Sequence, residues 1–360
     1  MNPEDKYEEA ETEPSIYDRE TEEADLWFVP PDEPAETGAG EGACLFRAAD
    51  WEAAESRCAR PLADAASALA RLDERLASLA EPGRHAQRLA IGEVAGLSWA
   101  EGQRLSEERI ALYAALRLSA TDADARDLSL ADWARRRLLG GPAPDDTAAF
   151  LGRSHSEPGT GEGAERGDLI PRPLGEEFAA LAHRWREEIA RGDLHPITRA
   201  CQAWHLWRQL GLSGPEAVIE PAVAAARIGA RGLCALSFMP IAFATGRALT
   251  GPRHHGPPAQ RLKPWLRSVT EAATNARATL ERVTAWEARA RAATADMKGR
   301  TPRALIEALA ALPVLSAPAA ERLTKASRAA VQRNLARLTT RGLAREITGQ
   351  TRYRFWKAMI

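Results

Sequence analysis

Apolar residues return every three or four positions along most of this chain, a period that suits helices and not the two-residue alternation of strands. In LADAASALARLDERLASLA, Leu62, Ala66, Leu69, Leu72, Leu76 and Leu79 fall on one helical face. Ala and Arg are abundant, while β-branched and aromatic runs are scarce, which favours the same outcome. The expectation is an all-α protein. No stretch approaches the roughly 18 consecutive apolar residues that a bilayer crossing needs. The opening MNPEDKYEEAETEP lacks the basic-then-apolar order of a secretory leader. A cytoplasmic protein with no membrane partner is expected.

The 360 residues suggest two or three domains, and charge divides them unevenly. Residues 1–45 hold 15 Asp and Glu against 2 Lys and Arg. This Pro- and Gly-punctuated arm, 1–44, is expected to be disordered, with Trp27-Phe28-Val29 as an apolar strap lying on the domain. Residues 45–139 read as a helical region, in which SLADWARRRLLGG runs from a cap at Ser129 or Asp132 to a Gly-Gly stop. Residues 140–173 read as a flexible linker. The linker's GTGEG has no strand before it and no Lys-Ser/Thr after it, so it is not expected to cradle phosphate. A second helical block, 174–299, should hold helices at 174–191, 196–211, about 215–229 and about 268–297. The last has a capping box of Ser268 and Glu271 and a stop at Gly299. Between the last two lies GPRHHGPP, where neighbouring His254 and His255 diverge and form no metal pair. Cys44, Cys58, Cys201 and Cys234 lack the close spacing of a zinc site and read as reduced core filler. No cofactor is expected.

The last sixty residues carry the clearest pattern. Residues 301–360 hold 11 Lys and Arg against 3 Glu, a net charge of +8, which suits an anionic partner. TPRALIEALAALPVL reads as a helix capped by Thr301, with Pro302 in its first turn. SAPAAERLTKAS is a short helix and turn. SRAAVQRNLARLTTRG is a helix capped by Ser327 and ended by Gly342. LAREITG and QTRYRFWK alternate like two strands around Gly349. Three helices and a two-stranded wing follow the order of a winged helix-turn-helix over 300–360. Val331, Leu335 and Leu338 share the inward stripe, leaving Arg328, Gln332, Arg333 and Arg337 to face a major groove. Lys325 and Ser327 precede that helix, and the wing adds Arg345, Arg352, Arg354 and Lys357. The alternative use of such a unit is packing or dimerisation through a basic surface.

LHPITRACQAWHLWRQLGL, then LSFMPIAFATGRALTG, a long helix, and a tail ending GLAREITGQTRYRF follow one another over about 90–360. This order resembles the Fic family, signature HPFxxGNGR, and within it a rhizobial group of Fic-related proteins of unknown function with a helix-turn-helix tail. The resemblance implies a helical Fic-like scaffold over 174–299. In the family the His deprotonates a target hydroxyl, an acid helps to hold a metal, and the Gly-Asn-Gly turn with its Arg binds phosphates. His195 and Pro196 match, and Ile197 replaces Phe. Arg199 stands in place of the acid, and Ala200, Cys201, Gln202 and Ala203 in place of Gly-Asn-Gly-Arg. The acid, the glycines and the Arg are missing, so a degenerate scaffold without catalysis is expected, His195 being the one catalytic candidate.

The leading reading is therefore a DNA-binding transcription regulator whose partner is double-stranded DNA. Such readers usually need two half-sites, so a second copy of the chain is a candidate partner. One alternative is transfer of AMP to a protein hydroxyl with His195 as base, although a nucleotide partner is disfavoured by the missing signature. Another is a non-enzymatic interaction module, in which the acidic arm covers the basic wing.

Overall fold

The three-to-four-residue period becomes helices almost throughout. The computed structural model describes residues 46–116, 122–152, 172–244, 249, 256–348 and 354–360. The helices are α1 (Ala48–Arg57), α2 (Ala59–Ala77), α3 (Pro82–Ala100), α4 (Glu107–Leu116), α5 (Asp122–Leu139), α6 (Thr147–Leu151), α7 (Gly175–Ala190), α8 (Pro196–Gln209), α9 (Ile219–Gly229) and α10 (Pro258–Ala293). The C-terminal elements follow as α11 (Thr301–Ala311), β1 (Leu315–Ser316), α12 (Ala317–Thr324), α13 (Arg328–Thr340), β2 (Ala344–Glu346) and β3 (Phe355–Ala358). The acidic arm, Trp27-Phe28-Val29, Cys44, the GTGEG stretch, His254, His255, Gly349 and Arg352 lie outside the described residues. Among the described residues, no helix is long and apolar enough to cross a membrane.

α2 forms where the stripe requires it: Leu69, Leu72 and Leu76 are buried, and Leu62, Ala66 and Leu79 pack at the edge. Its partner is α10, which also meets α1, α3, α8 and α11. At 36 residues, α10 is about 54 Å long. The capping box of Ser268 and Glu271 places its start near Ser268, and Pro264 just before it is a residue that disfavours a helix interior. In the structure it begins ten residues earlier, with Leu262, Trp265 and Leu266 buried around Pro264. Burial of that apolar turn outweighs the one ladder bond that proline removes. Ser268 consequently sits inside the helix, its hydroxyl donating to the Pro264 carbonyl at 3.0 Å. The helix stops at Ala293, short of Gly299. Ser129 and Asp132 are likewise interior to α5 and cap nothing. Part of the supposed linker is ordered as α6, which buries Phe150 and Leu151 and is capped by Asp146.

Carboxylates on the N-terminal helices hold the backbone of the second half. Asp73 on α2 accepts from the N–H groups of Cys234, Ala235 and Leu236, each at 2.8 Å. Glu93 on α3 accepts from Ile241 at 2.8 Å and Ala242 at 2.9 Å. Glu101 takes the Ile219 N–H, and Glu52 and Glu55 on α1 take those of Asp193 and His195. These irregular segments cannot satisfy their own donors, and a buried unsatisfied N–H costs about 1–3 kcal/mol. Flanking Glu93, Gly92 and Gly96 give the segment room: a Cβ at Gly96 would lie 2.1 Å from the Ala242 carbonyl oxygen.

The C-terminal elements close on a three-stranded antiparallel sheet in the order β1-β3-β2, with Glu346 opposite Trp356 and Leu315 opposite Trp356 on the other edge. The sequence reading has the β2–β3 pair and misses β1, a two-residue strand too short to show alternation. Side chains from the first ten helices fasten this part of the chain. Buried Arg88 of α3 donates to the carbonyls of Leu309, Ala310 and Leu312 at 3.2, 3.2 and 3.0 Å, satisfying the C-terminus of α11. Trp286 of α10 donates to the Leu343 carbonyl at 3.0 Å. Glu108 of α4 pairs with Lys357 at 2.7 Å.

Candidate functional site

Two places compete, the start of α8 and the surface of α13. At the first, Pro196 opens α8 and the His195 Nδ1 accepts the Ile197 N–H at 3.2 Å, so the imidazole caps the helix. The backbone N–H of His195 donates to Glu55 at 3.0 Å. Burial lowers the His195 pKa, the nearby Glu55 opposing the shift, which suits a neutral ring with Nδ1 free to accept. Arg199 turns the other way: its guanidinium donates to the carbonyls of Ile189 and Gly192, the second at 2.9 Å. It thus caps the C-terminal end of α7 and compensates for no missing acid.

The four positions where the Fic signature has its phosphate turn are filled helix. Ala200, Cys201, Gln202 and Ala203 are 0–1 % exposed, and the Ala203 carbonyl accepts from the Trp185 indole at 2.9 Å. Their N–H groups lie inside α8, where an anion nest would need them turned outward. Trp204 and Trp207 join the core, the latter stacked edge-on against Trp185 with centroids 5.1 Å apart. His205 is buried, its Nδ1 accepting from Arg261 at 3.0 Å. Among the described residues, no group of three or more His, Cys, Asp or Glu could hold a metal ion. Cys58 and Cys201 are buried free thiols, while Cys234 is exposed.

The second place has the opposite character. α13 is capped by the Ser327 hydroxyl, which accepts from the Ala330 N–H, and it buries Val331, Leu335 and Leu338. Arg328, Gln332, Arg333 and Arg337 are exposed on its remaining surface. Among the described residues none of those four side chains has a hydrogen bond or ion pair, and Arg345 on β2 is in the same state. Asn334 is turned back onto the Ala330 carbonyl. Small Ala329 and Ala336 are exposed between the long side chains. Lys325 takes a left-handed backbone, φ 52°, ending α12.

The wing residues differ in how free they are. Lys357 is tied to Glu108. Arg354 pairs with Glu346, which raises its pKa and lowers that of the carboxyl, and lies 5.1 Å over the Trp356 ring. The sequence reading omits Arg341, the next member of the four-residue row Arg333–Arg337. It pairs through both guanidinium arms with Asp296 at 2.6 Å. The spacing alone was signal enough for that residue. Among the described residues this place therefore gathers exposed Arg328, Arg333, Arg337 and Arg345, with the acids Asp296 and Glu346 already paired to Arg341 and Arg354. Neither a protein-family model nor a curated protein matches the sequence.

Proposed function

We propose that the chain binds double-stranded DNA, with α11, α12 and α13 as a winged helix-turn-helix, β2 and β3 as its wing, and α13 as the reading helix. The observation that carries this reading is the pair of exposed side chains Arg333 and Arg337 opposite the buried Val331, Leu335 and Leu338, with exposed Arg328 and Gln332 flanking them. Arg bidentate to guanine and Gln bidentate to adenine are the contacts such a row makes in a major groove. The helices α7–α10 serve as a degenerate Fic-like scaffold for assembly, and the biological role is transcription regulation. A second copy of the chain would place two reading helices about one duplex turn, 34 Å, apart.

The test is a salt titration of duplex binding by the full chain. Affinity should fall steeply and linearly on a logarithmic scale as salt rises. Arg333→Ala should cost about 1–3 kcal/mol on a preferred sequence and relax the preference at one position. Absence of any salt-dependent affinity for duplex DNA refutes the reading.

A further inference from the structure

The connection between α10 and α11 runs along one flank of α13. One end is fixed just beyond that helix, where Arg341 bonds Asp296 through two arms at 2.6 Å and also reaches the Ala293 carbonyl. The other end is fixed before it, where Arg300 Nη2 donates to the Lys325 carbonyl at 3.2 Å, in the turn between α12 and α13. Through these two arginine ties the bent stretch from Asp296 to Arg300, with Gly299 at φ 90°, joins the residue after α13 to the turn before it. The flank is the one that carries the cationic row. The Asp296 carboxyl, drawn down to about 2 chiefly by its bond to Arg341, is also lowered by Arg337. Arg333, Arg337 and Arg341 stand four residues apart, one above the other.

Between the two ties the connection carries Lys298 and Arg300, both exposed. The Lys298 ammonium has no hydrogen bond or ion pair among the described residues. Arg300 uses one donor on Lys325 and has the rest of its fork to offer. Asp296 is the one acid in the sequence from Thr294 to Arg300, and Arg341 neutralises it from two directions.

We propose that this connection belongs to the nucleic-acid contact, with Lys298 and Arg300 holding backbone phosphates of double-stranded DNA beside the groove that α13 enters. The proposal rests on the DNA-binding reading above and extends it outside the terminal sixty residues. A helix in a major groove has a phosphate strand along each flank, one charge for every 1.7 Å or so of duplex. Cations beside the helix meet that strand without approaching the bases. These contacts position the protein and carry no sequence preference.

The experiment compares full-length wild type, Lys298→Ala, Arg300→Ala, Lys298→Arg and Arg333→Ala on a pool of random-sequence duplexes and on a preferred sequence, across a salt series. Lys298→Ala and Arg300→Ala should each reduce the salt slope by about 1 and weaken binding equally on both DNAs. Lys298→Arg should keep the wild-type slope. Lys298 makes no hydrogen bond or ion pair among the described residues, so its variant decides the matter if Arg300→Ala also disturbs the turn at Lys325. Wild-type slopes for Lys298→Ala and Arg300→Ala, beside an Arg333→Ala that binds weakly, would overturn the proposal and leave the reading standing. A wild-type protein without salt-dependent affinity would overturn both.

Discussion

Glu93 makes the stability of this protein depend on pH in an unusual direction. Its side chain is fully buried on α3, and burial raises its carboxyl from 4.5 to about 7, with the N–H groups of Ile241, Ala242 and Phe243 pulling the other way. The folded chain therefore holds the proton more tightly than the unfolded chain. Its contribution to stability is complete below about pH 4.5 and is lost as pH rises through 7. Each pH unit of difference is worth about 1.4 kcal/mol, so the charged form at pH 8 costs about 3 kcal/mol relative to acid solution. Glu93→Gln keeps an oxygen for the Ile241 and Ala242 donors and cannot ionise. Urea unfolding of both proteins at pH 5 and pH 8 measures the consequence, because all other titrations cancel in the difference. The variant should gain about 2–3 kcal/mol on wild type between the two pH values. A difference that stays constant across that range would show that the carboxyl is not held in the way its surroundings require.

Two further substitutions probe the same architecture. Gly96→Ala should cost about 2 kcal/mol in urea unfolding, because its Cβ would lie 2.1 Å from a backbone oxygen that cannot swing away. Gly83→Ala, in the same helix with nothing within 4 Å, should instead stabilise by about 0.5 kcal/mol; equal effects would refute the close-approach account. Asp73→Ala removes the acceptor of three backbone donors and should cost about 3–5 kcal/mol, with Asp73→Asn losing roughly half as much. A loss under 1 kcal/mol would mean that water replaces the carboxylate at no penalty.

The parts legible in the sequence are those with short-range causes. Leu69, Leu72 and Leu76 turn inward because three- and four-residue spacing forces them together on any helix. Ser327 caps α13 and Val331, Leu335 and Leu338 line its buried side for equally local reasons. The carboxylate anchors were not legible. Asp73 meets its donors about 160 positions away, and nothing near Asp73 distinguishes it from the solvated acids of α2. The early start of α10 was hidden by Pro264, whose local penalty is overruled by packing that only the assembled core supplies. At the start of α8 His195 caps the helix, and Arg199 is a tie to α7 that no motif announces. At the candidate interface, the row on α13 could be read directly. Lys298 and Arg300 could not, since their place beside that row depends on the path of a connection and not on any motif.

α10 is continuous from Trp265, which donates to the Ile197 carbonyl at the start of α8, to Trp286, which donates to Leu343 between α13 and β2. A rod clamped at both ends transmits torque, whereas a tether does not. The tail is therefore mounted like a tool on a handle: turning it means turning the shaft. In a pair of chains joined through their scaffolds, the distance and angle between the two tails would follow from that shaft together with the Arg88 and Glu108 ties. Such a pair would measure one fixed spacing, with no slack to accommodate a neighbouring one.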